Sequence, residues 1–94
     1  MSRFDKLHHG LTNMAAGANT SCKDFSALLI DMKFELVPCG SAGHVIAKHP
    51  AVALQAYPDF NCGHDRGTKV KRVYIKKLSR FVDEYADAIK EYMK

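Results

Sequence analysis

The chain has 94 residues, of which 47% are hydrophobic, and its formal net charge is +4. This length supports one hydrophobic core but not two, so we expect a single domain over residues 1–94. No apolar run reaches the roughly 20 residues that cross a bilayer, and the first residues lack the apolar block of a secretory signal. These features predict a cytoplasmic protein with no membrane association.

The cysteines are few and widely spaced along the chain. They are Cys22, Cys39 and Cys62, an odd number that argues against a disulfide framework and favours reduced thiols. Cys39 and Cys62 with His44 and His64 are residue types that bind zinc, but they lack the usual pairs of close ligands. We therefore expect no metal and no other cofactor.

The N-terminal third predicts two helical segments. Residues 1–19 predict a short helix or arm followed by a linker, because three apolar residues recur at helical spacing: Phe4, Leu7 and Leu11. His8 and His9 would lie in this arm, frayed from the body. Ser21 followed by Asp24 resembles a capping box, which predicts the first core helix over residues 22–32.

The middle of the chain predicts three antiparallel strands. Residues 34–37 alternate and are rich in strand formers, and Pro38 confines this strand to an edge or a bulge. Glycines within residues 40–43 favour a tight turn, after which residues 44–48 form the second strand. Alternation over residues 52–57 predicts the third strand.

The strongest helical pattern begins near residue 71 and continues toward the C-terminus. Thr68 precedes it as a candidate cap. Residues 20–85 then form an α-β-β-β-α core of class α+β, with helices on one face of a three-stranded antiparallel sheet. Residues 86–94 extend the last helix and could reach toward a partner protein or a second copy.

Several segments resemble the HicA-type toxins, which are small mRNA interferases of bacterial toxin–antitoxin pairs. The resemblance covers about residues 22–85, and its carriers are Leu28-Leu29, FELV (34–37), AGHVIAKHP (42–50) and NCGHDRGTKVKR (61–72). It implies a fold similar to a double-stranded RNA-binding domain, an endoribonuclease activity and a HicB-type antitoxin as partner. The chain departs from the family pattern at Ala42 and Val45.

His44 is the candidate catalytic residue. Metal-independent RNA cleavage needs a group that takes a proton from a 2′-hydroxyl or gives one to the leaving oxygen, and histidine suits both roles. Ser41 and Gly43 are possible RNA contacts, because glycine-rich backbone can approach a phosphate closely. His49 lies at an odd spacing from His44, which places the two on opposite strand faces. We interpret His49 as structural or, alternatively, as an RNA contact.

A cluster of cations follows the third predicted strand. Residues 66–80 contain seven Lys or Arg residues and no acid, which favours a polyanionic partner. The predicted mRNA-binding residues are Lys69, Lys71, Arg72, Lys76, Lys77 and Arg80. Further possible RNA contacts are Tyr57, His64 and Arg66, and Tyr57 or Phe60 could stack on unpaired bases.

Two other functions fit the same residues. One is a non-catalytic RNA-binding module of the same fold, in which only the basic segment acts. The other is a protein-interaction domain whose basic patch meets an acidic partner. For His44 itself, the alternative to catalysis is a structural role, in which its hydrogen bonds are satisfied at the edge of the hairpin.

Overall fold

The structure is a computed structural model that describes residues 2–17, 19–40, 43–62 and 67–94. Its elements, in chain order, are α1 (Arg3–Ala15), α2 (Cys22–Asp31), β1 (Glu35–Pro38), β2 (His44–Lys48), β3 (Asp59–Asn61), α3 (Arg72–Glu84) and α4 (Ala86–Tyr92). The predicted α-β-β-β-α order corresponds to α2 through α3. None of the helices in the described residues has the length and apolar character needed to cross a bilayer.

The three strands form an antiparallel sheet in the order β1-β2-β3. Leu36 lies opposite Ala47, and Val45 lies opposite Phe60. The α+β class and the three-stranded antiparallel sheet are therefore confirmed. Pro38 ends β1 at the sheet edge, as expected of a residue that cannot donate to a ladder.

The prediction of a third strand over residues 52–57 was wrong. The third strand is Asp59–Asn61, and residues 52–57 form an irregular connection before it. The Val52 amide donates to the His49 carbonyl at 3.1 Å, and the Tyr57 hydroxyl donates back to the Val52 carbonyl. These local bonds close the segment on itself, so its apolar alternation does not produce a sheet ladder.

The N-terminal segment is an integral helix rather than a frayed arm. Ser2 and Asp5 form a complete capping box that stabilises the start of α1. Phe4 and Leu11 are buried in the core. His8 Nε2 lies 2.6 Å from Asp83 Oδ1 on α3, so the expectation that His8 is unattached was wrong.

The core lies on one face of the sheet. Side chains alternate along each strand, so Leu36, Ala47 and Phe60 point to the same side. All four helices add buried side chains to that side, and they include Leu11, Phe25, Leu29, Ile75, Leu78 and Ile89. The opposite face carries His44 and Asp59 and is only half-buried.

Cys22 and Cys62 form a disulfide, so the prediction of three reduced thiols was wrong. The bond joins the start of α2 to the residue after β3, which lie 40 positions apart in the chain. Next to it, the Cys22 amide donates to the Thr68 carbonyl at 2.9 Å, and the Val70 amide donates to the Thr20 carbonyl at 2.9 Å. Only Cys39 is a free thiol, and it is exposed.

The last helical segment is bent rather than continuous. Tyr85 takes φ −110° and ψ 24° between α3 and α4, outside helical geometry. The bend turns α4 onto the body, where Ile89 is fully buried and Tyr92 packs edge-on against His49. The segment therefore folds back onto the body instead of continuing α3 as a straight extension. Thr68 is not the helix cap either, because α3 begins after Lys71 without a side-chain cap.

Replacing Leu11 with alanine tests whether α1 belongs to the core. Because Leu11 is fully buried, we expect the free energy of unfolding to fall by about 2 to 5 kcal/mol. Leu54→Ala is the matched control, since Leu54 is exposed and should cost about 1 kcal/mol or less. Urea denaturation measures both, and equal losses would contradict the role assigned to α1.

Removing the disulfide tests the link between α2 and β3. Replacing both Cys22 and Cys62 with alanine should lower the free energy of unfolding by about 4 kcal/mol, because an open chain regains the entropy of a 40-residue loop. Cys39→Ala should leave the stability unchanged. Denaturation with and without reductant measures the effect. Three alkylatable thiols in the unreduced protein would contradict the bond.

Candidate functional site

The short strand β3 brings an acid next to His44. Phe60 points into the core, so its neighbour Asp59 must point to the opposite face of the sheet. His44 pairs with Asn61 across the strands, which makes Asp59 its diagonal neighbour on the same face. The contact is direct, with His44 Nε2 2.6 Å from Asp59 Oδ2.

The other oxygen of the same carboxylate binds a lysine of α3. Lys77 Nζ lies 2.6 Å from Asp59 Oδ1, so one carboxylate bridges an imidazole and an ammonium group. The hydrogen bond from Lys77, and after it that from His44, holds the pKa of Asp59 below its ordinary value. The carboxylate is therefore ionised at neutral pH. We call His44, Asp59 and Lys77 the charged cluster.

His44 stands where a turn becomes a strand, as the sequence predicts. Gly43 precedes it with φ +83°, a conformation that favours glycine, and the Gly43 carbonyl accepts from the Cys62 amide at 2.7 Å. About a third of the His44 side chain is exposed, at 35%. The backbone at His44 is thus held by this turn, while its side chain is partly open to solvent.

The bond to Asp59 fixes the proton arrangement of His44. An ionised carboxylate only accepts hydrogen bonds, so the proton between the two groups belongs to Nε2. In the neutral imidazole, Nδ1 then carries the lone pair. Nδ1 has no hydrogen-bond partner among the described residues. This nitrogen is available to take a proton from, or return one to, a bound molecule.

His49 lies in the core and not on the solvent-accessible surface. It is 1% exposed, its Nε2 donates to the Met32 carbonyl at 2.8 Å, and its Nδ1 accepts from the Ala51 amide at 3.1 Å. Burial lowers the pKa of His49, so the ring is neutral with both nitrogens satisfied. Its contacts are structural, and a direct RNA contact by His49 is excluded by this burial.

Four of the predicted cations line grooves at the two ends of β3. Beyond Asn61, a groove of about 260 Å³, here the Tyr74 groove, is lined by Asn61, Thr68, Lys69, Lys71 and Tyr74. Before Asp59, a groove of about 380 Å³, here the Tyr57 groove, includes Tyr57, Pro58, Lys77, Arg80, Phe81 and Glu84. The charged cluster lies between them.

The other two predicted cations lie on the flank of α3 that faces α1. The Arg72 guanidinium group lies close to Gly17, just after the end of α1. A β-carbon added at Gly17 would be 3.1 Å from one of its nitrogens. Lys76 is four residues after Arg72 and is therefore on the same side of the helix. Asp83 lies on the same flank of α3, since it contacts His8 of α1. The structure does not bring Arg72 and Lys76 to the charged cluster.

Of the two aromatic candidates, only Tyr57 faces a groove. Phe60 is fully buried and packs edge-on against Phe25, with ring centroids 4.9 Å apart, so it cannot stack on a base. The Tyr57 ring is half-buried at the wall of the Tyr57 groove.

Three predicted contacts, Ser41, His64 and Arg66, lie outside the described residues. The zinc alternative loses one of its four ligands, because Cys62 is bonded to Cys22. In the described part of the chain, no group of three or more histidine, cysteine or acidic side chains is arranged to hold a metal ion.

Asp59 is the member of the site that the sequence analysis missed. A usable signal was present: Phe60 is the one apolar residue between Asp59 and Asn61, which is the pattern of a strand with one buried side chain. The assignment of residues 52–57 as the third strand concealed it.

The structure thus places a histidine–aspartate–lysine cluster between two cation-lined grooves on the surface of a small α+β protein. Comparison of the chain with protein-family models, curated proteins and solved structures finds no match in any of the three. The resemblance to the HicA-type toxins therefore rests on the residues of this chain.

Replacing Lys77 with methionine tests the cluster. Loss of the ammonium group should raise the pKa of Asp59 toward its ordinary value of 3.8. Lys76→Met is the matched control, because Lys76 makes no ion pair within the described residues and should leave that pKa unchanged. The carboxyl carbon chemical shift of Asp59, followed by NMR through acid pH, measures both.

The same shift fixes the direction of a stability effect. The pKa of Asp59 is lower in the folded chain than in the unfolded chain, so its contacts stabilise the fold above about pH 3.8 and are lost as the pH falls further. The stability difference between the wild type and Lys77→Met should shrink over that acid range. A difference that grows on acidification would contradict the bridge.

Proposed function

We propose that this protein is an endoribonuclease that binds single-stranded mRNA and cleaves it with His44 as the catalytic residue. The observation that carries the proposal is the contact of 2.6 Å between His44 Nε2 and Asp59 Oδ2, on a half-exposed sheet face with cations on both sides. An ionised carboxylate beside an accessible imidazole is the arrangement that general acid–base chemistry needs.

His44 acts first as a base. Its Nδ1 takes the proton of a ribose 2′-hydroxyl as the 2′-oxygen bonds to phosphorus. The bond from phosphorus to the 5′-oxygen breaks, and the leaving oxygen takes a proton from water. The products are a 2′,3′-cyclic phosphate and a 5′-hydroxyl, and the imidazolium of His44 returns its proton to solvent.

Asp59 and Lys77 support this step in different ways. Asp59 holds His44 in the tautomer with a free Nδ1 and stabilises the imidazolium that forms. Lys77 uses one ammonium hydrogen on Asp59 and keeps two others, which can donate to the phosphate oxygens as negative charge builds on phosphorus. Asp59 is thus a positioning residue, while His44 and Lys77 would touch the RNA.

The cations at the ends of β3 supply the affinity for RNA. Lys69 and Lys71 lie in the Tyr74 groove, and Lys77 and Arg80 lie in the Tyr57 groove. A strand passing from one groove to the other would carry its backbone past His44. Because each neutralised phosphate releases counterions, the affinity should fall steeply as salt is added.

The resemblance to the HicA-type toxins extends the proposal to a biological setting. It supports a fold similar to a double-stranded RNA-binding domain and the role of toxin in a type II toxin–antitoxin pair. Its partner would be a HicB-type antitoxin, and its place of action would be the cytoplasm, where mRNA is found.

Replacing His44 with alanine tests the proposal. Cleavage of a single-stranded transcript should fall about 100-fold or more, because the proton acceptor is lost. The dissociation constant for the same RNA should stay within a few-fold, because the cations remain. The amount of 2′,3′-cyclic phosphate and the dissociation constant are measured on the same preparation.

His9→Ala is the matched control for this substitution, because His9 is an exposed histidine on α1, a helix that contributes no residue to the charged cluster. It should change neither cleavage nor binding. Cleavage that survives in His44→Ala would contradict the catalytic role. Wild-type protein that binds RNA and leaves it intact would identify a non-catalytic RNA-binding module.

A further inference from the structure

The Tyr57 groove has an apolar wall whose partly exposed ring, that of Tyr57, is held in place by hydrogen bonds. Tyr57, Pro58 and Phe81 form this wall. The Tyr57 hydroxyl donates to the Val52 carbonyl and accepts from the Leu54 amide, the latter at 3.2 Å. Both hydrogen-bonding capacities of the hydroxyl are used locally, so the ring keeps its position. A planar ligand stacked on it would lose little affinity to ordering of the protein.

The rim of the same groove carries charges of both signs. Lys77 and Arg80 are cations, and Glu84 is an exposed carboxylate one helical turn after Arg80. Arg80 and Glu84 form no ion pair with any residue in the described part of the chain. The two cations suit an anionic part of a ligand, and the Tyr57 ring suits a planar part. The Glu84 carboxylate only accepts hydrogen bonds, so it suits N–H donors. A nucleotide has all three.

Lys77 connects the groove to the charged cluster. Its ammonium group lines the groove and contacts Asp59, which contacts His44. A phosphate held beside His44 would therefore have its neighbouring nucleoside at the mouth of the Tyr57 groove. Paired bases in a duplex have their edges occupied and their faces stacked, so only an unpaired base could enter.

We infer that the Tyr57 groove binds one unpaired nucleobase next to the phosphate at His44, and that Glu84 selects guanine. The inference rests on the proposed function and adds a base preference to it. Guanine presents two adjacent N–H donors on its pairing edge, and a carboxylate can accept both at once. Adenine, cytosine and uracil do not present such a pair. Tyr57 would stack on the ring while Arg80 binds the backbone.

The test measures binding of short fluorescent single-stranded RNAs to the full chain carrying His44→Ala, which prevents cleavage during the measurement. One RNA contains only adenine and uracil, and the other has a single central guanine. We expect the guanine-containing RNA to bind about 10-fold more tightly, as a good bidentate contact provides. Glu84→Gln should abolish this preference and leave the affinity for the other RNA nearly unchanged.

Glu91→Gln is the matched control, because Glu91 is an exposed glutamate of α4 that pairs only with Lys94 among the described residues. It should preserve the preference for guanine. The inference is overturned if both RNAs bind equally to the parent protein, or if Glu84→Gln retains the preference. It is also overturned if duplex RNA or polyglutamate competes as well as single-stranded RNA, since charge alone would then explain binding.

These outcomes separate the two proposals. If wild-type protein cleaves RNA but shows no Glu84-dependent preference, the inference about the groove fails and the proposed function stands. If the preference is present and wild-type protein leaves RNA intact, the groove binds a base as inferred and the catalytic proposal fails.

Discussion

The burial of Phe60 determines which face of the sheet Asp59 occupies, and with it the contact between Asp59 and His44. This ring is fully buried opposite Val45 and packs edge-on against Phe25. Since strand side chains alternate, Phe60 can point inward only if Asp59 points outward beside His44. A slip of one residue would bury the carboxylate and expose the ring, which carries a large cost in free energy. The same packing that stabilises the core therefore sets the geometry of the site.

Much of this arrangement follows from local patterns in the sequence. The Ser21 and Asp24 pair marks the start of α2, and the Ser21 hydroxyl accepts from the Asp24 amide at 3.1 Å. The glycine turn places His44 at the first residue of β2. The odd spacing between His44 and His49 puts one on the half-exposed face and the other in the core. These features depend on neighbours in the chain, which the sequence displays directly.

Other features depend on contacts that no local pattern records. Asp59 meets His44 only after β2 and β3 pair, and Cys22 meets Cys62 only after α2 packs beside the end of β3. The odd number and wide spacing of the cysteines favour reduced thiols and hence a reducing compartment. The disulfide between Cys22 and Cys62 removes that argument. The bend at Tyr85 allows Ile89 to be buried against the body. The apolar periodicity continues through this point, so the sequence pattern does not distinguish a bent helix from a straight one.

The charged cluster takes its members from positions 44, 59 and 77, in three successive elements of the chain. A ribosome delivers the chain from its N-terminus, so the β-hairpin emerges before the helix that supplies the ammonium group and much of the core. Until α3 has been synthesised, Asp59 has no lysine to bind and the sheet lacks Ile75 and Leu78 beneath it. The histidine, the carboxylate and the ammonium group are therefore brought together only after α3 has been made and packed beneath the sheet.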